Sequence, residues 1–125
     1  MKGYMGKLLR VDLTARRITE EALDPQLARD YIGGAGLGVR LAYDEIPPSI
    51  DPLGPEAKLL IMTGPVTGTA LGSAGRFEVV FKSPLPGILC DASSGGFWGS
   101  DLKLAGYDGL IRQGAAEAQD YLYIV

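Results

Sequence analysis

Three short stretches of the sequence are dominated by glycine, at residues 33–38, 64–75 and 95–99. The chain carries 18 glycines among its 125 residues, and they follow no collagen-like period. Glycine reaches backbone conformations that other residues avoid and lets other groups approach the main chain closely. Tight backbone geometry is therefore concentrated in three places.

The segments between these clusters predict short strands and short helices. Alternating apolar residues predict strands at 9–13 and 17–22, within 58–65 and 76–84, and at 87–92, 108–112 and 121–125. Apolar stripes and capping residues predict helices at 24–32, 36–46 and 96–105. Because the strands follow one another in hairpin-like order and do not alternate strictly with helices, we expect an α+β domain with mainly antiparallel β-sheets.

The apolar spacing also predicts which side chains are buried. The helix at 36–46 has a predicted stripe of Val39, Ala42, Tyr43 and Ile46. The helix at 96–105 has a predicted stripe of Trp98, Leu102 and Ala105, and Gly106 is its expected C-terminal glycine. We expect a left-handed residue within Gly33-Gly34 to end the first helix, and Cys90 to be a buried small hydrophobe.

Composition excludes several classes of function. A net charge of −3 argues against nucleic acid as a partner. The absence of histidine excludes a Ser-His pair and a His-ligated metal, and the single Cys90 cannot supply the four thiolates of an iron–sulfur cluster. That lone cysteine fits a cytoplasmic protein, and charges interrupt every apolar run before it reaches membrane-spanning length.

Two glycine-rich motifs lack the residues of known nucleotide loops. "GGAGLG" follows a predicted helix and lacks the third glycine of a dinucleotide fingerprint, so a helix-to-helix turn is favoured. "GPVTGTALGSAGR" lacks the lysine of a P-loop but ends on Arg76, whose guanidinium can bind an oxyanion with two hydrogen bonds. The alternative is that Arg76 forms an ion pair with Glu78 on the same strand face.

The stretch "SSGGFWG", residues 93–99, has two interpretations. Its glycines leave backbone amides uncovered at the start of a helix, where an anion could bind. Alternatively a serine caps the helix while Phe97 and Trp98 pack in the core. Asp44, Asp101 and Asp108 are possible acids, but each occupies an ordinary surface or capping position, and we assign none of them a catalytic role.

Five blocks of the sequence together resemble the N-terminal domain of the tungsten-containing aldehyde:ferredoxin oxidoreductase family. They are "GKLLRVDLT", "YIGGAGLGVRLAYDEIPP", "DPLGPEAKLLIMTGPVTGT", "GRFEVVFKSPL" and "SSGGFWGSDLKLAGYDGLI". The resemblance runs in order through essentially the whole chain. It implies that residues 1–125 are the N-terminal tungstopterin-binding domain, truncated at its C-terminal end and equivalent to about the first half of a duplicated domain.

The resemblance also implies which residues bind the cofactor, a bis-pterin tungsten or molybdenum centre. Arg76 would bind a pterin phosphate, and Ser93 and Gly95 would contact the cofactor. The backbone carbonyl of Ser93 would help hold a Mg²⁺ ion that bridges the two pterin phosphates. The family usually has asparagine at this position, and a carbonyl ligand survives the change to serine.

The implied reaction of the family is oxidation of an aldehyde to a carboxylic acid with water, the electrons passing through the metal and a 4Fe-4S cluster to ferredoxin. The acid–base residues and the cluster ligands would lie in other domains of the same polypeptide, so we expect this chain alone to be inactive. We also expect possible self-association into a homodimer, because strand edges would be exposed.

Two alternatives remain open from the sequence. The chain could belong to a relative that acts on another substrate, such as a sugar-phosphate aldehyde or an aromatic thioester. It could instead be a stand-alone binding or assembly module that uses the same glycine-rich face without metal chemistry.

Overall fold

The computed structural model describes residues 2–121 and 123. The elements in chain order are β1 (Lys7–Asp12), β2 (Arg17–Ala22), α1 (Pro25–Tyr31), α2 (Gly34–Glu45), β3 (Lys58–Thr63), β4 (Phe77–Lys82), β5 (Leu89–Ser94), α3 (Trp98–Leu104) and β6 (Gly109–Gln113). The strand expected at 121–125 falls on a segment that lies largely outside the described residues.

The six strands form one mixed sheet in the order β2-β1-β6-β3-β4-β5. Four of the five strand pairs are antiparallel, and only β1 and β6 run parallel, with Leu8 opposite Gly109 and Leu9 opposite Leu110. The predicted α+β class with mainly antiparallel pairing is therefore confirmed. The parallel pair arises because β6, the last strand in sequence, enters the middle of the sheet.

Helices α1 and α2 cover one face of the sheet and form the main core with it. The fully buried side chains of this cluster include Leu37 on α2 and Leu60, Met62 and Val80 on the central strands. Gly38 allows the close contact, because a Cβ at this position would lie 2.7 Å from Cγ2 of Val80. Burying these aliphatic side chains contributes about 1.5–3 kcal/mol each to folding.

The α-helices differ from their predicted details in two respects. The positive-φ residue that caps α1 is Ile32, at 65°, whereas Gly33 is extended and Gly34, with φ of 52°, is already the first residue of α2. In α2 the predicted stripe is half wrong, because Val39 and Tyr43 are 39% and 82% exposed. The buried face of α2 consists of Leu37, Gly38, Leu41 and Ala42, followed by the cap residue Ile46.

Helix α3 lies against the opposite face of the sheet. The ring of Trp98 contacts Phe77 of β4, with centroids 4.8 Å apart, and Phe77 points away from the face that carries Val80. Leu102 is buried as predicted, whereas Ala105 is exposed. Gly106, with φ of 97°, ends the helix as predicted, and hydrogen bonds from Gly106 N to Lys103 O and from Tyr107 N to Leu102 O complete the turn.

A polar cluster joins α2 to β1 and β3 at one end of the core. Glu45 accepts hydrogen bonds from Arg10 Nη1 at 2.9 Å and from Lys58 Nζ at 2.8 Å. Hydrogen bonds from Arg10 lower the pKa of Glu45 to about 2, with a smaller contribution from Lys58, although partial burial acts in the opposite direction. The folded state therefore stabilises the ionised form of the Glu45 carboxylate.

Strand β5 forms one edge of the sheet and lies two residues further along the chain than the predicted strand 87–92. It continues through Ser94 because Glu78 and Phe77 of β4 pair with Ser93 and Ser94. Cys90 is only half-buried on this edge strand, so the expectation of a buried cysteine is wrong.

Candidate functional site

Arg76 and Gly95 lie side by side where β4 begins and β5 ends. Phe77 pairs with Ser94, and continuing this antiparallel register places Arg76 opposite Gly95. Both residues line a surface pocket of about 390 Å³, formed by Thr69, Ser73, Ala74, Gly75, Arg76, Gly95, Gly96, Phe97 and Ser100. Two of the three glycine clusters thus meet at one pocket.

The side chain of Arg76 is available to a ligand. Arg76 is exposed, and among the ion pairs of residues 2–121 and 123 its guanidinium has no carboxylate partner within 4.0 Å. The alternative pairing with Glu78 is therefore wrong, since Glu78 accepts a hydrogen bond from Ser93 Oγ instead. The backbone of Arg76 is held by Thr67, whose Oγ1 donates to the Arg76 carbonyl at 3.2 Å.

The glycines of this pocket have two separate roles. Gly75 packs against the backbone of the facing segment, because a Cβ there would lie 2.5 Å from the carbonyl oxygen of Gly96. At Gly95 and Gly96 a Cβ would meet nothing within 4 Å, so these two main-chain positions face open space. Gly96 has φ of 96°, which other residues rarely adopt.

Ser93 lies next to the pocket and does not line it. Its hydroxyl is bonded to Glu78 across the β4–β5 pair, and the residue belongs to the exposed edge strand. The residue that caps α3 is Phe97, which makes no side-chain capping hydrogen bond. The interpretation of a serine cap is therefore wrong, and α3 begins at Trp98 rather than at residue 96.

The two aromatic residues that begin this helix occupy different environments. Trp98 is half-buried against Phe77. Phe97 is 85% exposed and lines the pocket, so the expectation that both rings pack in the core holds only for Trp98.

A buried ion pair between α3 and the start of β6 was missed by sequence reasoning, which placed Asp108 among ordinary surface or capping positions. Lys103 and Asp108 have side chains 4% and 2% exposed, and Nζ lies 2.6 Å from Oδ1. Asp108 also accepts from Met5 N at 3.0 Å and Gly6 N at 2.7 Å, and Lys103 donates to Gly3 O at 2.7 Å. The pair therefore fastens the N-terminal segment to α3 and β6.

The N-terminal segment in turn contacts the loop that leads to Arg76. Gly3 lies against Pro65, because a Cβ at Gly3 would be 2.8 Å from the Pro65 carbonyl oxygen. Tyr4 lies near the ion pair, and burial, followed by the charge of Asp108, raises the pKa of its hydroxyl. The loop that leads to Arg76 is thus packed against an N-terminal segment that the buried ion pair holds in place.

The remaining acidic residues do not form a metal site by themselves. Within residues 2–121 and 123, no three Asp, Glu, Cys or His side chains converge on a position where they could hold a metal ion. Asp44 pairs with Arg40 on α2, and Asp101 is exposed on α3. The helices of this described part of the chain also lack the length and apolar character needed to cross a bilayer.

Comparison with known proteins identifies close relatives along the whole chain. A profile of the family described as aldehyde ferredoxin oxidoreductase, N-terminal domain, matches residues 8–125. A tungsten-containing aldehyde ferredoxin oxidoreductase of Pyrococcus abyssi is 45% identical over 124 residues, which is 99% of this chain and 20% of that protein. The corresponding Thermococcus kodakarensis protein is 43% identical, with the same shares covered.

Two further relatives carry different names. The WOR-like subunit of an aliphatic sulfonate oxidoreductase from Pyrococcus furiosus is 39% identical over 127 residues, covering 99% of this chain and 20% of the relative. A solved structure, the active-site complex BamBC of benzoyl coenzyme A reductase with 1,5-dienoyl-CoA, matches with a TM-score of 0.94 and 36% identity, covering 98% of this chain and 19% of that one. The chain thus spans about a fifth of the length of the curated relatives it matches.

Proposed function

Because the chain belongs to the aldehyde ferredoxin oxidoreductase family, we propose that it is the cofactor-binding N-terminal part of a longer oxidoreductase. Its ligand is a bis-pterin tungsten or molybdenum centre. The observation that carries the proposal is the exposed, unpaired guanidinium of Arg76 beside the uncovered main chain of Gly95 in one pocket.

The residues present fit such a ligand. Arg76 offers a planar pair of donors to a phosphate, the group that arginine binds with two hydrogen bonds. Gly95 and Gly96 leave room for a bulky group to approach the backbone, and the pocket of about 390 Å³ lies within the range of small-molecule sites. A pterin phosphate satisfies the charge of Arg76 without displacing any internal ion pair.

Ser93 would contribute through its main chain. Its hydroxyl is already engaged by Glu78, which leaves the backbone carbonyl as the group that would bind Mg²⁺ next to the pterin phosphates. A carbonyl oxygen is a hard ligand of the kind that Mg²⁺ prefers. The Glu78 carboxylate adds negative charge near this position, which favours a cation there.

The bound metal centre would supply two-electron redox chemistry at a substrate, and this chain would hold and orient it. In the proposed reaction an aldehyde and water give a carboxylic acid, two protons and two electrons. A 4Fe-4S cluster bound elsewhere in the polypeptide would carry the two electrons to ferredoxin. The cluster ligands and the acid–base groups would come from other domains of the same polypeptide. The 125-residue chain alone should therefore reduce no viologen dye with an aldehyde.

Two further proposals concern the state of the protein. We propose that the chain alone can form a homodimer through its exposed strand edges. The single cysteine supports a cytoplasmic location.

Removing the Arg76 side chain tests the proposal in the full-length protein. We expect R76A to lower tungsten content and to weaken the binding of a pterin monophosphate to the metal-free protein by roughly 10- to 150-fold, the effect of a lost charge-assisted hydrogen bond. R29A is the matched control, because Arg29 is also exposed but lies on α1, outside the pocket. Unchanged tungsten content and unchanged affinity in R76A would contradict the proposal.

A second candidate function keeps the cofactor and changes the substrate. It is favoured by the benzoyl coenzyme A reductase structure, which shares this fold at a TM-score of 0.94, and by the sulfonate oxidoreductase relative. Dye-coupled assays of the full-length protein with an aldehyde, an aliphatic sulfonate and an aromatic coenzyme A thioester distinguish these substrates. The higher identity to the tungsten aldehyde oxidoreductases makes the aldehyde our first choice.

A further inference from the structure

Phe97 exposes most of its ring beside the charged group of the pocket. It is 85% exposed, although the neighbouring Trp98 is half-buried and packs on Phe77. A large aromatic side chain buries much apolar surface when it contacts a partner, and this ring contributes little of its surface to the core. The position thus holds an aromatic residue whose contact surface faces outward.

The backbone that carries this ring is held in place by the fold. The carbonyl of Phe97 accepts the first hydrogen bond of α3, from Asp101 N at 2.9 Å, and its φ and ψ of −96° and −17° lie in the helical region. The adjacent Gly96 is held against Gly75 by backbone packing. An aromatic side chain on so constrained a backbone has only two rotatable side-chain bonds to order when it binds.

The surroundings of the ring match a ligand with one flat part and one anionic part. Arg76 lines the same pocket, and the open positions Gly95 and Gly96 lie on the chain just before Phe97. The hydroxyls of Ser73 and Ser100 in the pocket can bond the polar edge of a heterocycle, whereas that of Thr69 already donates to the Val66 carbonyl at 2.7 Å. A flat conjugated ring can therefore lie on Phe97 while its anionic group reaches Arg76.

We infer that Phe97 binds the heteroaromatic ring of the ligand by stacking, and that it thereby gives the pocket its preference for a ring-bearing phosphate over phosphate alone. This inference rests on the proposed function, since it concerns the same pocket. It assigns the two parts of the ligand to different residues. Arg76 binds the anion, and Phe97 selects the ring.

Two probes separate these roles in the metal-free full-length protein. A pterin monophosphate carries both the ring and the anion, and inorganic phosphate carries the anion alone. Stacking on an aromatic residue contributes about 1–3 kcal/mol by alanine substitution, so F97A should weaken pterin monophosphate binding roughly 5- to 150-fold. Phosphate affinity should stay within about twofold, since the contact with Arg76 is intact.

Matched variants exclude a general structural effect. F97Y should keep the affinity for the pterin monophosphate and F97L should lose part of it, since leucine fills space without a flat ring. L104A is the control for an exposed apolar residue on the same helix, because Leu104 is 80% exposed and lies outside the pocket, and it should change neither affinity. Quenching of pterin fluorescence by the wild type, reduced in F97A, gives a second readout of stacking.

The outcomes distinguish this inference from the proposed function. If F97A loses affinity for pterin monophosphate and for phosphate equally and also melts at a lower temperature, Phe97 packs against another part of the protein. That result would overturn the inference. So would a wild-type protein that binds the pterin monophosphate no more tightly than phosphate. If R76A weakens both probes while F97A changes neither, the inference fails and the proposed function stands; if R76A changes neither, the proposed function itself fails.

Discussion

Replacing Lys103 by methionine is expected to destabilise the fold more than any exposed charge substitution. Methionine keeps most of the side-chain stem but removes the ammonium group that donates to Asp108 at 2.6 Å and to Gly3 at 2.7 Å. Asp108, 2% exposed, then keeps only the backbone donors of Met5 and Gly6. The substitution therefore leaves a buried carboxylate whose main charge partner is missing.

The expected loss is large compared with the stability of a domain of this size. Removing one partner of a buried ion pair costs about 3–5 kcal/mol, against a total free energy of unfolding of about 5–15 kcal/mol. For 125 residues this corresponds to a melting temperature roughly 10–20 °C lower. The exposed pair Lys7–Glu20 has a similar separation, 2.8 Å, but both side chains are 51% exposed and screened by water, so K7M should lower the melting temperature far less than K103M.

Urea unfolding of the chain measures both variants with one internal reporter. Trp98 is the only tryptophan and belongs to the same helix as Lys103, so its fluorescence follows the region concerned. A double variant, K103M with D108N, should recover part of the loss, because it removes the unpaired charge and keeps an amide oxygen that can accept from the backbone of the N-terminal segment. If K103M loses no more stability than K7M, the buried pair does not hold the N-terminal segment as described.

Two other predictions concern stability. Hydrogen bonds from Arg10 hold the pKa of Glu45 at about 2 instead of 4.5, so the ionised carboxylate stabilises the folded state. This stabilisation is fully present above about pH 4.5 and is lost as the pH falls toward 2. E45Q should therefore reduce the dependence of the free energy of unfolding on pH between these values, measured by urea titrations. G75A places a Cβ 2.5 Å from the Gly96 carbonyl oxygen and should lower the free energy of unfolding by about 1–3 kcal/mol. At Gly72 a Cβ would meet nothing within 4 Å, so G72A should be neutral or raise the free energy of unfolding by up to about 1 kcal/mol. Equal changes of melting temperature in the two variants would refute this prediction.

Local patterns were sufficient to predict most elements of the fold. The alternation in β1 and β2 and the Asp24-Pro25 start of α1 depend on neighbouring residues only, and Asp24 does accept a hydrogen bond from Gln26 N at 2.8 Å. The meeting of Arg76 and Gly95 also follows once β4 and β5 pair. Whether these residues bind a cofactor remains a prediction.

The errors have tertiary causes. The buried face of α2 was misjudged because the helix carries apolar residues on more than one face, and the face that packs on the sheet is the one with Gly38, where a Cβ would lie 2.7 Å from Cγ2 of Val80. Ser93 and Ser94 look like turn residues, but pairing with β4 keeps them in a strand. Asp108 was misjudged because the turn at Gly106 returns the chain so that Lys103 can reach it, and no local spacing reveals that contact.

The position of β6 between β1 and β3 has a consequence for how the protein is made. The hairpin of β1 and β2 ends at Ala22, but its only neighbour in the sheet ends at Gln113, so the hairpin cannot join β3 until that late strand has been synthesised. At about 5–20 residues per second, translating the intervening chain takes roughly 5–20 s. During that interval the inner edge of β1 is unpaired on the nascent chain, and the inner edge of β3 is unpaired from its completion at Thr63 onward. A chaperone that shields strand edges would act there first.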